Sequence, residues 1–229
     1  APQAQSAPGV FNQPRGLAFD ADGSIWVADF GNHRIQKLDP HGESLLAVGQ
    51  RGKEPLEFDQ PCAVAVGPDG IYVADTWNGR VQVLDREGAF VREMKDSFFG
   101  PRGLAVAKDG RVFVADTGNH RIFVFSPEGG KATEFARRGG GPGELFEPQG
   151  IALSPGEEEL YVADNGNARV SVFTPDGKFL RAFPVPGWKS EALGEPHLAF
   201  SPDGLLWMTV PLQSEIRAYA KDGTLVRTL

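Results

Sequence analysis

The chain has 229 residues, a formal net charge of −7 and one cysteine, Cys62. An acidic balance lacks the basic footprint that nucleic acid binding uses to displace counterions, and a lone cysteine excludes an internal disulfide framework and a Cys-based zinc site. No segment approaches the roughly 20 consecutive apolar residues of a membrane helix, so no insertion by this chain is expected.

In chain order, residues 1–10 read as a flexible tail rich in Ala, Pro, Gln and Ser. A phrase then returns five times, clearest as Val27-Ala28-Asp29-Phe30-Gly31-Asn32-His33-Arg34-Ile35. It divides residues 11–229 into repeats of approximately 11–57, 58–97, 98–144, 145–192 and 193–229 within one domain. Each opens with an apolar residue three before a proline, such as Phe58 and Pro61, Leu145 and Pro148, or Leu193 and Pro196. A first strand follows (Ala63-Val64-Ala65-Val66), then a reversal at Asp69-Gly70 of the kind found at Asp22-Gly23, Asp109-Gly110 and Asp203-Gly204. Asp-Gly supplies the positive dihedrals that tight hairpins need. The second strand is β-branched and aromatic (Ile25-Trp26-Val27-Ala28), and the Asp-x-x-Asn-x-Arg segment turns the chain into a third. A further Gly-containing turn leads to a fourth.

The unit is therefore a four-stranded antiparallel meander. Repetition at this period means stacked supersecondary units. The second strands are apolar at consecutive positions, which implies burial on both faces. Blades packed face to face provide it, so the expected fold is an all-β β-propeller with five recognisable blades. They form a five-bladed ring, or a six-bladed ring with one blade outside residues 1–229.

These residues resemble the NHL repeat family. The likeness lies in the Pro-x-Gly-Leu-Ala opening, the Val-Ala-Asp strand, the Asp-x-x-Asn-x-Arg-Ile turn, and linkers such as Gly52-Lys53-Glu54-Pro55-Leu56-Glu57-Phe58. The fifth repeat departs from it, with Val210 for Asp, Gln213 for Asn and Glu215 for Arg.

Strand order brings the Asp-x-x-Asn-x-Arg turns, the linkers and the residue after each opening proline to one face. Binding residues concentrate on variable loops over a rigid scaffold, so any site is expected there. The residues after the prolines differ between blades: Arg15, Cys62, Arg102, Gln149 and His197. Two arginines suit an acidic group, while Cys62 also reads as a small buried residue. Phe30, Trp77 and Leu212 are apolar in turns that are ordinarily polar, as a partner's anchor would be. The pairs Asp29 with Arg34, Asp75 with Arg80, Asp116 with Arg121 and Asp164 with Arg169 recur in every intact copy, which points to structure.

Some propellers similar to this family are lyases and lactonases that hold a metal in the channel. Of His33, His41, His120 and His197, only His197 is expected near the mouth, and no nucleophile motif is present. The expectation is a non-catalytic interaction or scaffold module with no cofactor, binding a protein, peptide or glycan. The alternatives are a lyase- or lactonase-like enzyme with a channel metal, calcium included, or a structural subunit of a larger extracytoplasmic assembly. The opening tail and the family resemblance point to an extracytoplasmic site, periplasmic or secreted. A membrane anchor upstream is compatible with both.

Overall fold

The computed structural model describes residues 6–189 and 194–229. Ala1–Gln5 of the expected tail and Leu193 of the fifth opening lie outside the described residues. The chain is an all-β β-propeller of five four-stranded antiparallel blades. Blade one comprises Leu17–Phe19, Ile25–Asp29, Arg34–Leu38 and Ser44–Val48; blade two Pro61–Gly67, Gly70–Asp75, Arg80–Leu84 and Phe90–Lys95. Blade three comprises Pro101–Val106, Val112–Asp116, Arg121–Phe125 and Lys131–Phe135; blade four Pro148–Leu153, Leu160–Asp164, Arg169–Phe173 and Phe179–Pro184. Blade five comprises Leu198–Phe200, Leu206–Val210, Glu215–Tyr219 and Leu225–Thr228. In every blade the sheet order follows the chain order. No helix among the described residues is long and apolar enough to cross a membrane.

The chain resolves into two compact units, residues 1–110 and 111–229. In the first, Trp26, Ala28 and Ile35 of blade one share a buried core with Val64, Ile71, Val73 and Leu84 of blade two. In the second, Tyr161, Val170 and Val172 of blade four pack with Leu206, Met208 and Tyr219 of blade five. Blade two shows why its second strand is apolar at consecutive positions: Ile71 and Val73 pack on blade one, and the strand also contacts Pro101–Val106 of blade three. Blade one departs from this at its first strand. Leu17 is 57 % exposed, whereas Val64, at the same position of blade two, is 5 % exposed beneath blade one.

The second and third strands of each blade are joined by a single turn of 3-10 helix, such as Phe30–Asn32 and Thr76–Asn78. Each turn ends on a left-handed residue: His33, Gly79, His120, Ala168 or Ser214. Four of these are not glycine, so the strand pairing on either side holds them in a region that costs a side chain free energy. The linkers are also shaped. Gln50–Arg51 pairs in parallel with Glu57–Phe58, and Arg138 bridges Leu145 in the same sense.

Candidate functional site

Four buried carboxylates organise the turn-bearing end of blades one to four. In blade two, Asp75 Oδ2 accepts from Arg80 Nε at 2.7 Å and from Asn78 Nδ2 at 2.9 Å, while Oδ1 accepts the Asp59 backbone N–H at 2.7 Å. Asp29 with Arg34 (2.8 Å), Asp116 with Arg121 (2.8 Å) and Asp164 with Arg169 (2.7 Å) repeat the arrangement. All four carboxylates are fully buried. Three of these arginines also hold the linker preceding their blade. Arg80 donates to the carbonyls of Glu54 and Glu57, and Arg169 to those of Gly140, Gly141 and Glu144. Arg34 does the same to Ser6, Ala7 and Val10, so the segment read as tail is tied to blade one from Ser6 onward and serves as its linker.

Blade five achieves this with different residues. Arg217, two positions beyond the usual arginine, donates to Pro186 O at 2.6 Å, to Glu215 Oε2 at 2.8 Å and to Gln213 Oε1. Gln213 in turn donates to Gly187 O at 2.7 Å. Reading the phrase position by position misses Arg217. The signal is that residues 215 and 217 share one side of a strand.

The two turn histidines are also committed to structure. His33 Nδ1 accepts the Gln60 N–H at 3.1 Å, and His120 Nδ1 accepts that of Glu147 at 3.0 Å. Burial lowers the pKa of both below the ordinary histidine value. Arg51 lowers His33 further, against Asp59, which raises it; Arg138 lowers His120. An accepting nitrogen and a lowered pKa agree on a neutral ring. Among the described residues, no three His, Cys, Asp or Glu side chains gather where one ion would be held.

The expected ligand-contacting residues divide by burial. Arg15 lies over the Phe30 ring at 4.5 Å, and both are half-buried. Arg102 lies 5.9 Å from the Trp77 ring. Trp77 is 52 % exposed, and its ring nitrogen donates to Gln60 Oε1 at 2.6 Å. Cys62 and Gln149 are instead buried in their strands, the thiol 3.8 Å from Gln60 O. His197 is half-buried, and its backbone N–H donates to Thr209 Oγ1 at 2.9 Å. Of the Leu212 side chain nothing is described.

Beside Trp77 opens a cleft of about 160 Å³, lined by Lys53, Trp77, Asn78, Arg80 and Lys95. The sequence singles out Trp77 as a contact residue, but neither lysine. Lys53 comes from the linker, whose loop is closed by Glu57: its Oε2 accepts the Lys53 and Glu54 N–H groups at 3.0 and 3.1 Å. Hydrogen bonding, from Gln50 first, lowers the Glu57 pKa and keeps the carboxylate charged for this role.

One turn residue is poorly matched to its place. Thr76 and Thr117 begin their turns by donating to the next blade's opening proline carbonyl, Pro101 O at 2.9 Å and Pro148 O at 2.7 Å. Asn165 holds that position in blade four, 1 % exposed, with neither end of its amide hydrogen-bonded. Asn165→Thr is therefore expected to raise stability by about 1 kcal/mol, measured by urea denaturation. An unchanged or lowered midpoint would contradict this account of the turn.

The sequence profile of the NHL repeat matches residues 11–38, 98–125 and 147–173. The chain carries NHL repeats. This NHL chain is 36% identical over 103 residues to peptidylglycine alpha-amidating monooxygenase of Rattus norvegicus, covering 42% of this chain and 11% of that protein. It is 31% identical over 118 residues to a probable peptidyl-alpha-hydroxyglycine alpha-amidating lyase of Caenorhabditis elegans, covering 45% and 34%. The NHL chain thus spans about a third or less of these curated relatives. Among solved structures, a chain of a nidogen/laminin complex superposes with a TM-score of 0.76 at 17% identity, over 94% of this chain and 79% of that one. At that identity the likeness concerns the fold.

Proposed function

We propose that this NHL propeller is a non-catalytic interaction module that binds a protein or peptide on the face carrying the second-to-third-strand turns. Trp77 carries the reading. It is an exposed aromatic on a turn, its backbone N–H donates to Asp59 O, with Asp59 held in turn by Asp75, and its ring is fixed by Gln60. Rigid aromatics flanked by arginine are the side chains that anchor interfaces, because they bury much area at little entropic cost. The recurrent Asp, Asn and Arg residues are already engaged in holding linkers, so specificity falls to the positions that differ between blades. The fold suits the role, since a chain of like fold is solved in a nidogen/laminin complex.

The test is site-specific photo-crosslinking from position 77, with mass spectrometry of what is captured. Trp77→Ala combined with Arg102→Ala should abolish affinity capture of that partner while leaving the melting temperature unchanged. Capture that survives the double substitution removes the reading, and capture of an oligosaccharide would turn it towards a glycan. We also place the protein outside the cytoplasm; fractionation of cells expressing it from its own gene tests this.

A second reading is favoured by one observation, the 31% identity to a probable peptidyl-alpha-hydroxyglycine alpha-amidating lyase. It makes the propeller a lyase. Turnover of a peptidyl-α-hydroxyglycine by the purified protein, lost on His197→Ala, would establish it.

A further inference from the structure

We infer that the cleft beside Trp77 receives the carboxylate of a glutamate or aspartate from the bound peptide, next to an apolar residue that stacks on the indole. The inference rests on the turn-bearing face being the peptide-binding surface, and it adds the chemical class of the ligand. Charge decides it first. Three cations line the cleft: Lys53, Arg80 and Lys95. Arg80 is matched by Asp75 at 2.7 Å and by Glu93 at 3.1 Å, and Lys95 shares that same Glu93 at 2.7 Å. Lys53 is exposed and forms no ion pair among the described residues. Lys53 is thus the lining cation left without an ion pair among the described residues, in a chain whose formal net charge is −7. A carboxylate entering here replaces a missing counter-charge, whereas a lysine would be repelled.

The cleft is also built in advance. Asn78 Nδ2 donates to Gly52 O at 2.7 Å, Glu57 fixes the next two backbone N–H groups, and Trp77 N–H donates to Asp59 O at 3.1 Å. Lysine and indole are therefore presented by backbone that is already ordered, which lowers the entropic cost of binding. A peptide fits better than a nucleic acid strand, because a polyanion tracking across the surface would meet the acidic remainder of the chain.

The experiment compares two short acetylated peptides, one alternating glutamate with leucine and the other with glutamine in place of each glutamate. Isothermal titration in low salt is the readout, with a polygalacturonate oligomer as a third ligand. The glutamate peptide should bind about tenfold more tightly than the glutamine one, and added salt should narrow the gap. Lys53→Glu should bring the glutamate peptide down to the level of the glutamine peptide without shifting the melting temperature, since the exposed Lys53 side chain makes no hydrogen bond or ion pair among the described residues. Equal binding of the two peptides, no binding of either, or indifference to Lys53→Glu overturns the inference. Tighter binding of polygalacturonate overturns the peptide as its source. Trp77→Ala separates the two levels: if equal binding of both peptides is lost on Trp77→Ala, the binding face stands while the carboxylate pocket falls.

Discussion

Replacing Asp75 with alanine is expected to destabilise the protein by about 3–5 kcal/mol, the usual cost of removing one partner from a buried ion pair. In a chain of this size that corresponds to roughly 6–20 °C in melting temperature. Asp75 is fully buried and Arg80 is 3 % exposed, so the guanidinium would lose its partner away from bulk solvent. The Asp59 N–H and the side chains of Asn78, Arg80 and Gln82 all lose an acceptor at once. Asp75→Asn keeps the shape and one acceptor oxygen but not the charge, and should fall between alanine and the parent. The control is Asp222→Ala: Asp222 is an exposed hairpin aspartate that accepts the Thr224 N–H, and its loss should cost far less. Thermal melting monitored by near-ultraviolet circular dichroism distinguishes the three. If Asp75→Ala and Asp222→Ala melt together, the carboxylate does not organise the turn.

This hierarchy also explains what could be read from the residues alone. Asp75, Asn78 and Arg80 are repeated because every blade needs the same solution to the same local problem. The chain must reverse at the end of the second strand and fasten the preceding linker, so the sequence pattern and the structural role coincide. Trp26, Tyr72, Phe113 and Tyr161 are buried as their β-branched and aromatic surroundings imply. Contacts made once are harder to read. Lys53 and Lys95 are 42 positions apart and meet only because a linker folds back over its blade, and nothing in either segment announces that meeting. Cys62 and Gln149 occupy the same repeat position as Arg102, yet they turn inward while Arg102 reaches an indole. Side-chain length and polarity, not the position in the phrase, set which of them faces outward. The exposure of Leu17 was likewise invisible, because its sequence is that of any other first strand and only the covering neighbour differs.

Arg217→Ala provides the sharpest test of whether function at this end is transferable between blades. The side chain is 8 % exposed and donates to Pro186 O, Glu215 and Gln213, the first being a linker carbonyl of the kind that Arg80 holds in blade two. Hydrogen bonds from a charged donor contribute about 1.5–3 kcal/mol, and a loss in that range is expected, read from the urea midpoint. The decisive companion is a rewired blade five carrying Val210→Asp, Glu215→Arg and Arg217→Gln. That variant places the Asp, Arg and Gln of blade two at the same offsets, with Gln213 standing where Asn78 does. Val210→Asp alone buries a carboxylate beside Met208 with no arginine at the offset that Arg80 holds from Asp75, and should be destabilising. Adding the two partners should recover most of the parent stability, because the carboxylate then meets the guanidinium it lacks. Recovery would mean that either arrangement of charges can fasten the linker, and that blade five departs from its siblings without loss. Failure of the triple variant to recover, with Arg217→Ala still costly, would show that the 186–187 linker requires Arg217 at its own position. A neutral Arg217→Ala would remove the clamp from the account of blade five altogether.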